Sequence, residues 1–200
     1  NSLFSFTIIY FSLPQPITAI EYATSPTHKT TLDYFIKKSC QLTLYSDLCY
    51  TSLSSSYTGD PNLGKLTYAA IQVSLAGCVH TANYVASLSH RTTTRADDMA
   101  VGDCVELTNE ALTQVKRRLT EMAGILRSGV HRGGMSNVMT WMSAAITDQN
   151  TCMDGFNELN SGRDDEGVVR TKVGRKVDVV VKLISNALAL VNSFADAITN

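Results

Sequence analysis

The clearest structural signal in the 200-residue chain comes from residues 101–126, which read VGDCVELTNEALTQVKRRLTEMAGIL. Mostly apolar residues recur there at alternating steps of four and three, a spacing that keeps side chains on one face of an α-helix. The stretch contains no proline, so the backbone hydrogen bonds can run uninterrupted. It predicts one long amphipathic helix from about Thr94 to about Leu126. The predicted core face consists of Val101, Val105, Thr108, Leu112, Val115, Leu119, Met122 and Leu126.

Three further stretches after residue 60 show the same helical spacing. The first, residues 60–88, begins with Asp60 as a candidate N-cap, followed by proline at the first helical position. The others are residues 136–159, with Ser136 as a candidate cap, and residues 168–198. Their predicted core faces are Leu66, Ala70, Val73, Gly77, His80 and Tyr84; Val138, Met142, Ala145, Gln149, Cys152, Phe156 and Leu159; and Val177, Val181, Ile184, Leu188, Val191, Ala195 and Ile198.

Four long helices joined by short loops bury their apolar faces by packing antiparallel. Before them, residues 31–53 contain two cysteines nine positions apart and indicate a pair of short helical turns closed on themselves. Residues 20–32 are polar and rich in threonine, which favours a flexible N-terminus of the mature chain. The predicted fold is all-α: an N-terminal helical hairpin within residues 24–59, then an up-down-up-down four-helix bundle over residues 60–200, stapled by disulfides.

The first 23 residues differ from the rest of the chain. Residues 3–13 form a mostly apolar run without charge, and small residues follow it near Ala19. This pattern is typical of a secretory signal, although no Met or basic start precedes it. Eleven residues are too few for a bilayer, which needs about 20. We interpret residues 1–23 as a truncated signal peptide cut near Ala19 or Ala23, the alternative being a short buried helix or a membrane anchor. We expect no later stretch to cross a membrane, and hence a secreted, soluble chain.

Five cysteines in a secreted chain indicate two disulfides and one remaining thiol. Cys40 and Cys49 can close a small loop. Cys104 lies beside the core face of the second bundle helix and Cys152 in that of the third, so adjacent antiparallel helices could bring them together. Cys78, on the first bundle helix, is then the thiol left over, and we expect it to be buried rather than reactive or intermolecular. The sequence alone leaves several pairings open.

Composition and motifs argue against most chemical functions. With 17 basic and 18 acidic residues the net charge is −1, which produces no global attraction to nucleic acid or to anionic membranes. The four histidines show no metal-binding spacing, and no phosphate loop, dinucleotide fingerprint or nucleophile elbow occurs. We expect His80 to be a core or boundary residue, residues 116–118 to be an exposed basic helical face, and residues 160–167 to be a solvated loop rather than a calcium site. The sequence therefore predicts no enzyme, cofactor or metal site.

Several cysteine-anchored motifs occur in a recognisable order. They are residues 39–49 (SCQLTLYSDLC), 101–112 (VGDCVELTNEAL), 141–156 (WMSAAITDQNTCMDGF) and 185–190 (SNALAL). Together they resemble the plant invertase and pectin methylesterase inhibitor family, over residues 32–198. The run 141–156 is more similar to the esterase inhibitors, and the Pro-Lys-Phe stretch typical of invertase inhibitors is absent. The resemblance implies one inhibitor domain, about residues 30–198, with disulfides Cys40–Cys49 and Cys104–Cys152.

The resemblance also implies a binding partner and a location in the plant. Such inhibitors cover the substrate cleft of a pectin methylesterase with bundle helices in a one-to-one complex, so we expect a free monomer that acts in the plant cell wall, the apoplast. By motif position, the docking face comes from the second and third bundle helices. Its candidate residues are Glu106, Glu110, Ser143, Thr147 and Thr151. The alternative is that the two glutamates are merely solvated and that Thr151 only packs beside the disulfide.

Three other functions remain compatible with the sequence. One is an invertase inhibitor. Another is the inhibitory pro-region of a pectin methylesterase precursor, which predicts a dibasic stretch after the last helix and more chain beyond Asn200. The third is a secreted bundle that holds a small ligand in a hollow core or serves as a structural wall protein.

Overall fold

The computed structural model describes residues 26–89, 91–92, 94–128, 132–159 and 167–199. The interpretation of residues 1–23 as a signal peptide lies outside this part of the chain, as does nearly all of the 160–167 loop. In the part described there are six helices and no strand, so the all-α prediction is confirmed. The helices are α1 (Pro26–Cys40), α2 (Ser46–Ser56), α3 (Leu63–Ala86), α4 (Arg95–Ser128), α5 (Arg132–Leu159) and α6 (Val168–Ala197).

Helices α1 and α2 form a hairpin closed by the Cys40–Cys49 disulfide, whose Cα atoms are 5.5 Å apart. The expectation of a flexible N-terminus was wrong for residues 26–32, which form the first two turns of α1. Proline is well tolerated at the first position of a helix, so Pro26 does not interrupt it. Asn186 of α6 ties the hairpin to the bundle: Tyr45 N donates to Asn186 Oδ1 (3.1 Å) and Asn186 Nδ2 donates to Tyr45 O (2.9 Å).

Helices α3 to α6 pack in a closed ring in which each contacts the helix before it and the helix after it, with α6 returning to α3. The contacts run in opposite directions along the paired helices. Gly64, at the start of α3, lies against Leu126 and Phe194, near the ends of α4 and α6. Because the ring is closed, the groove between α4 and α5 and the groove between α3 and α6 lie on opposite sides of the molecule.

The predicted core faces agree best with the observed burial where they consist of large apolar residues. Val101, Val115 and Met122 of α4 are fully buried, as are Val138 and Phe156 of α5. The prediction for α3 is correct at Leu66 and Ala70, which are buried, but wrong farther along the helix. Its buried residues include Thr67, Ile71, Ser74, Cys78 and Thr81, whereas His80, expected in the core or at its boundary, is exposed. Small polar residues face α6 here, and their polarity concealed the true core face.

Two predicted helix starts were also wrong. Helix α3 begins at Leu63, and its cap is Asn62, whose side chain accepts a hydrogen bond from Lys65 N (2.9 Å). Asp60 instead pairs with His28 (3.2 Å). Helix α5 begins four residues before Ser136, which lies within it. The predicted start of α4 is close, because Thr94 Oγ1 accepts a hydrogen bond from Asp97 N (3.0 Å) and so caps that helix.

Helix α6 corrects the expectation that no later stretch is apolar enough to cross a membrane. It is 30 residues long, and its most apolar window has a mean hydropathy of 1.5, so it could span a bilayer by length and composition. In the structure this helix packs against α3 and α5. Its apolar character serves that packing, since Val177, Ile184 and Leu190 are all buried there.

Candidate docking face

Helices α4 and α5 are joined covalently by the Cys104–Cys152 disulfide, whose Cα atoms are 4.5 Å apart. Both cysteines are buried, and Cys78 on α3 is a free, buried thiol. The pairing is the one that the family resemblance implies. Because the link lies between the buried faces of two long helices, it holds their exposed faces in a defined register. Those faces carry all five candidate docking residues, each of which is exposed.

Glu106 and Thr151 lie in the same depression, which we call the acidic cavity. It has a volume of about 380 Å³ and also contains the carboxylates of Asp103, Asp154 and Glu158. Asp103 and Glu106 belong to α4, whereas Thr151, Asp154 and Glu158 lie on successive turns of α5. Only the packing of the two helices brings the five residues together. Thr151 thus faces solvent in a cavity, contrary to the alternative that it only packs beside the disulfide. Four carboxylates in one depression give this end of the face a negative charge.

Glu110 lines a second depression, farther along the same two helices, which we call the Trp141 cavity. Its volume is about 480 Å³, and Gln114, Arg118 and Asn137 also line it. Trp141 is 43% exposed, and its Nε1 donates to Asn137 Oδ1 (3.0 Å). The Arg118 guanidinium lies 5.8 Å from the centre of the Trp141 ring, within cation–π range.

The pairing of Trp141 with Arg118 was not predicted from the sequence. Residues 116–118 were expected to be a plain exposed basic face, yet Arg118 is half-buried and also forms a 2.7 Å ion pair with Glu121. A signal was present, since the single tryptophan of the chain occupies an outward-facing helical position. Tryptophan and arginine dominate the energetics of many protein interfaces. This cavity therefore has the composition of an anchoring site.

Asp148 lies on α5 between Trp141 and Thr151, which line the two cavities, and the pKa of its carboxyl is shifted. Its partial burial, reinforced by the nearby charge of Glu110, raises the pKa of the Asp148 carboxyl, and a hydrogen bond with Gln114 opposes the shift. Burial disfavours the charged carboxylate, and a like charge disfavours it further. The middle of the face therefore loses negative charge at a higher pH than an ordinary aspartate would allow.

Ser143 and Thr147 line neither cavity. Their hydroxyls donate to backbone carbonyls one turn earlier, Ser143 to Met139 O (3.0 Å) and Thr147 to Ser143 O (3.3 Å), and Thr151 donates likewise to Thr147 O (2.9 Å). Each hydroxyl oxygen keeps lone pairs that can accept a hydrogen bond. The three side chains thus present acceptors along the ridge of α5 rather than a pocket.

The arrangement suits binding to another macromolecule. Within the described ranges no group of three or more His, Cys, Asp or Glu side chains is placed to hold a metal ion. The carboxylates and amides are fixed on two linked helices, and both cavities are open depressions with mixed polar and apolar walls. Such a face can offer charges, hydrogen-bond acceptors and one aromatic anchor to another macromolecule.

Comparison with known proteins identifies the family. The family model described as plant invertase/pectin methylesterase inhibitor matches residues 34–190. Pectinesterase inhibitor 10 of Arabidopsis thaliana is 38% identical over 86% of this chain, which spans only 54% of that protein. Pectinesterase inhibitor 9 of the same plant is 34% identical over 94% of both chains. A crystal structure of a mutant pectin methylesterase inhibitor from Arabidopsis has the same fold, with a TM-score of 0.61 at 18% identity over 78% of this chain and 95% of that one.

These matches confirm the resemblance drawn from the cysteine-anchored motifs. The two relatives are named as inhibitors and not as enzymes. The chain belongs to the plant invertase/pectin methylesterase inhibitor family.

Proposed function

We propose that this protein inhibits a plant pectin methylesterase by binding it one-to-one and covering its substrate cleft with the exposed face of α4 and α5. The observation that carries the proposal is the 34% identity to pectinesterase inhibitor 9 over 94% of both chains. The target implies secretion to the cell wall, with residues 1–23 as the signal.

The physics of the face supports docking to a preformed cleft. Helices held by a buried disulfide lose little conformational entropy on binding, so more of the interaction energy remains as affinity. A cleft that binds a carbohydrate offers many polar groups, to which the acidic cavity and the hydroxyls of α5 can hydrogen-bond. Trp141 supplies an aromatic anchor with large contact area.

The first experiment is a titration of plant pectin methylesterases with the purified protein at mildly acidic pH, with both disulfides intact. We expect activity to fall to a minimum at one equivalent of inhibitor, and light scattering after gel filtration to show a one-to-one complex. An invertase is assayed with the same preparation. Inhibition of invertase alone would refute the proposal and identify the protein as an invertase inhibitor. Failure to inhibit any of several esterase isoforms would also refute the proposal.

The docking face is tested by charge reversal. Glu106→Lys together with Glu110→Lys places two cations where the proposal needs anions, and we expect the inhibition constant to rise at least tenfold. The matched control reverses Asp47 and Asp178, which are exposed on α2 and α6, and should inhibit as the natural protein does. If the α4 variant inhibits with unchanged strength while it melts at the natural temperature, the face is wrongly placed.

A further inference from the structure

A second groove lies on the opposite side of the bundle, between α3 and α6, and its charge is the reverse of the acidic cavity. Its volume is about 430 Å³. We call it the basic groove and define it by His80 and Tyr84 of α3 and by Lys172, Arg175, Lys176 and Val179 of α6. None of these residues belongs to the docking face of α4 and α5.

Among the described residues, no neighbouring acidic group forms an ion pair with the cations of the basic groove. Helix α3 contains no Asp or Glu over its whole length. In the part of the chain that the structure describes, Lys172, Arg175 and Lys176 form no ion pair. The nearest acidic residue on α6, Asp178, is already paired with Lys182 at 2.7 Å. Three cations within five residues therefore face solvent together.

One of these cations is held in place by two side chains of α3. The ammonium of Lys176 donates a hydrogen bond to His80 Nε2 (2.9 Å) and lies 5.6 Å from the centre of the Tyr84 ring. A lysine fixed in this way has lost part of its side-chain freedom before any ligand arrives, which lowers the entropic cost of binding an anion. Lys172 lies one helical turn away, about 6 Å along the axis.

The shape of the groove favours an extended ligand over a single small anion. At Gly77, helix α3 lies directly against side chains of α6. A Cβ added to this glycine would be only 3.1 Å from Leu183 Cδ1 and 3.2 Å from Val180 Cγ2. The result is a shallow channel along the seam with Val179, 47% exposed, and Tyr84 as apolar wall. Cations repeated along one edge of such a channel match anionic groups repeated along a chain.

We propose that the basic groove binds a polyuronate, a carbohydrate chain that bears carboxylates at regular intervals. The choice of this ligand rests on the proposed function, because an esterase that removes methyl groups from pectin leaves carboxylates on its product. The neutral, fully esterified chain lacks the groups that the cations recognise. The inhibitor would then hold to de-esterified wall polymer by one side while its opposite, acidic side remains available to the enzyme.

Calorimetric titration without any enzyme tests the groove directly. The probes are an oligogalacturonate and the same oligomer fully methyl-esterified. We expect the free acid to bind, the affinity to fall with added salt, and the ester to show at least tenfold weaker binding. Equal binding of both oligomers, or no binding of the free acid at low salt, would overturn the proposal.

Variants locate the binding on the surface. Lys172→Gln, Arg175→Gln and Lys176→Gln combined should weaken oligogalacturonate binding at least tenfold, with the fold checked by circular dichroism. The matched control removes the same number of charges elsewhere, as Lys37→Gln, Lys38→Gln and Arg127→Gln, all exposed, and should keep the affinity within about threefold. Lys172→Arg with Lys176→Arg should also retain binding. An equal loss in the control would mean non-specific charge attraction and would overturn the assignment.

Different experimental outcomes would refute the proposed function and the proposed polyuronate site. The groove variant is expected to inhibit pectin methylesterase with unchanged stoichiometry, and the Glu106 and Glu110 charge reversal is expected to bind oligogalacturonate at least as well as the natural protein. Loss of inhibition with intact polyuronate binding would sink only the proposed function. Intact inhibition by a protein that binds no polyuronate would sink only this inference.

Discussion

The two long seams of the bundle are built by different means. Between α4 and α5 the helices carry large core residues such as Met122 and Met142 and are joined by the buried Cys104–Cys152 disulfide. Between α3 and α6, small residues of α3 such as Gly77 and Ser74 let the helices approach closely, and side-chain hydroxyls reach across the seam: Thr67 Oγ1 lies 3.2 Å from Leu190 O and Ser74 Oγ lies 3.0 Å from Leu183 O. The first seam is held by a covalent constraint and apolar area, the second by close approach.

This difference explains where each seam is vulnerable and what its outer surface can do. A disulfide allows the α4–α5 surface to carry four like charges in one cavity, because their repulsion cannot separate the helices at that point. The α3–α6 seam has no disulfide, since α6 contains no cysteine, and its close packing depends on the small size of Gly77 and Ser74. We therefore expect the α4–α5 seam to respond most to loss of its covalent link, and the α3–α6 seam to respond most to added volume.

The largest effect should follow removal of the interhelical disulfide. Cys104→Ala with Cys152→Ala frees a loop of 48 residues, and the chain-entropy relation predicts a loss of about 4 kcal/mol in the free energy of unfolding. Urea denaturation measures it. Cys40→Ala with Cys49→Ala, which frees a loop of nine residues, should cost about 3 kcal/mol. A larger loss from the hairpin pair than from the bundle pair would reverse the comparison.

The next effect should come from bulk introduced between α3 and α6. Ser74→Leu removes the hydroxyl contact to Leu183 O and places three carbon atoms beyond Cβ at a fully buried position where serine has one oxygen. Overpacking of this kind costs about 1–3 kcal/mol. Gln72→Leu, at an exposed position of the same helix, is the control and should change stability by less than about 0.5 kcal/mol. If Ser74→Leu is tolerated as easily as the control, close approach is not what holds this seam.

A smaller, pH-dependent effect is expected at Asp148. Since burial and Glu110 raise the pKa of this carboxyl in the folded protein, the native state is penalised for carrying its charge. The contribution to stability is present at low pH and is lost as pH rises from about 4, the ordinary aspartate value, through the raised folded value. Asp148→Asn should therefore raise Tm slightly at neutral pH, and the two proteins should converge in acid. A variant less stable than the natural protein at neutral pH would contradict this assignment.

The smallest effect is expected at Cys78, which should not react in the folded protein. Burial raises the pKa of this thiol to about 12, so almost none of it is thiolate at pH 8, and the core excludes reagents. We expect an aromatic disulfide reagent to label no thiol in the native protein and one thiol after denaturation in urea. Rapid native labelling would show that the core on the α3 side opens far more easily than the packing indicates.

The accuracy of the core faces predicted from the sequence differs between these helices. The core faces of α4 and α5 were largely predicted because apolar residues recur in them at helical spacing, and burial of apolar side chains is the strongest local signal of a core face. The core face of α3 was predicted correctly at Leu66 and Ala70 but not beyond them, because several buried residues of this helix carry hydroxyls: Thr67, Ser74 and Thr81. A buried hydroxyl that bonds to a neighbouring backbone carbonyl looks, in the sequence, like a surface residue.

The chain alone was sufficient to establish the class of fold and the family, because helical periodicity and cysteine-anchored motifs are local in sequence. It could not establish the acidic cavity, the Trp141 cavity or the basic groove, since each joins residues from two helices that lie dozens of positions apart. Which side chains meet across a seam depends on the rotation and register of both helices. Those quantities are determined by the packing of the whole core, by the Cys104–Cys152 link on one side and by the close approach at Gly77 on the other.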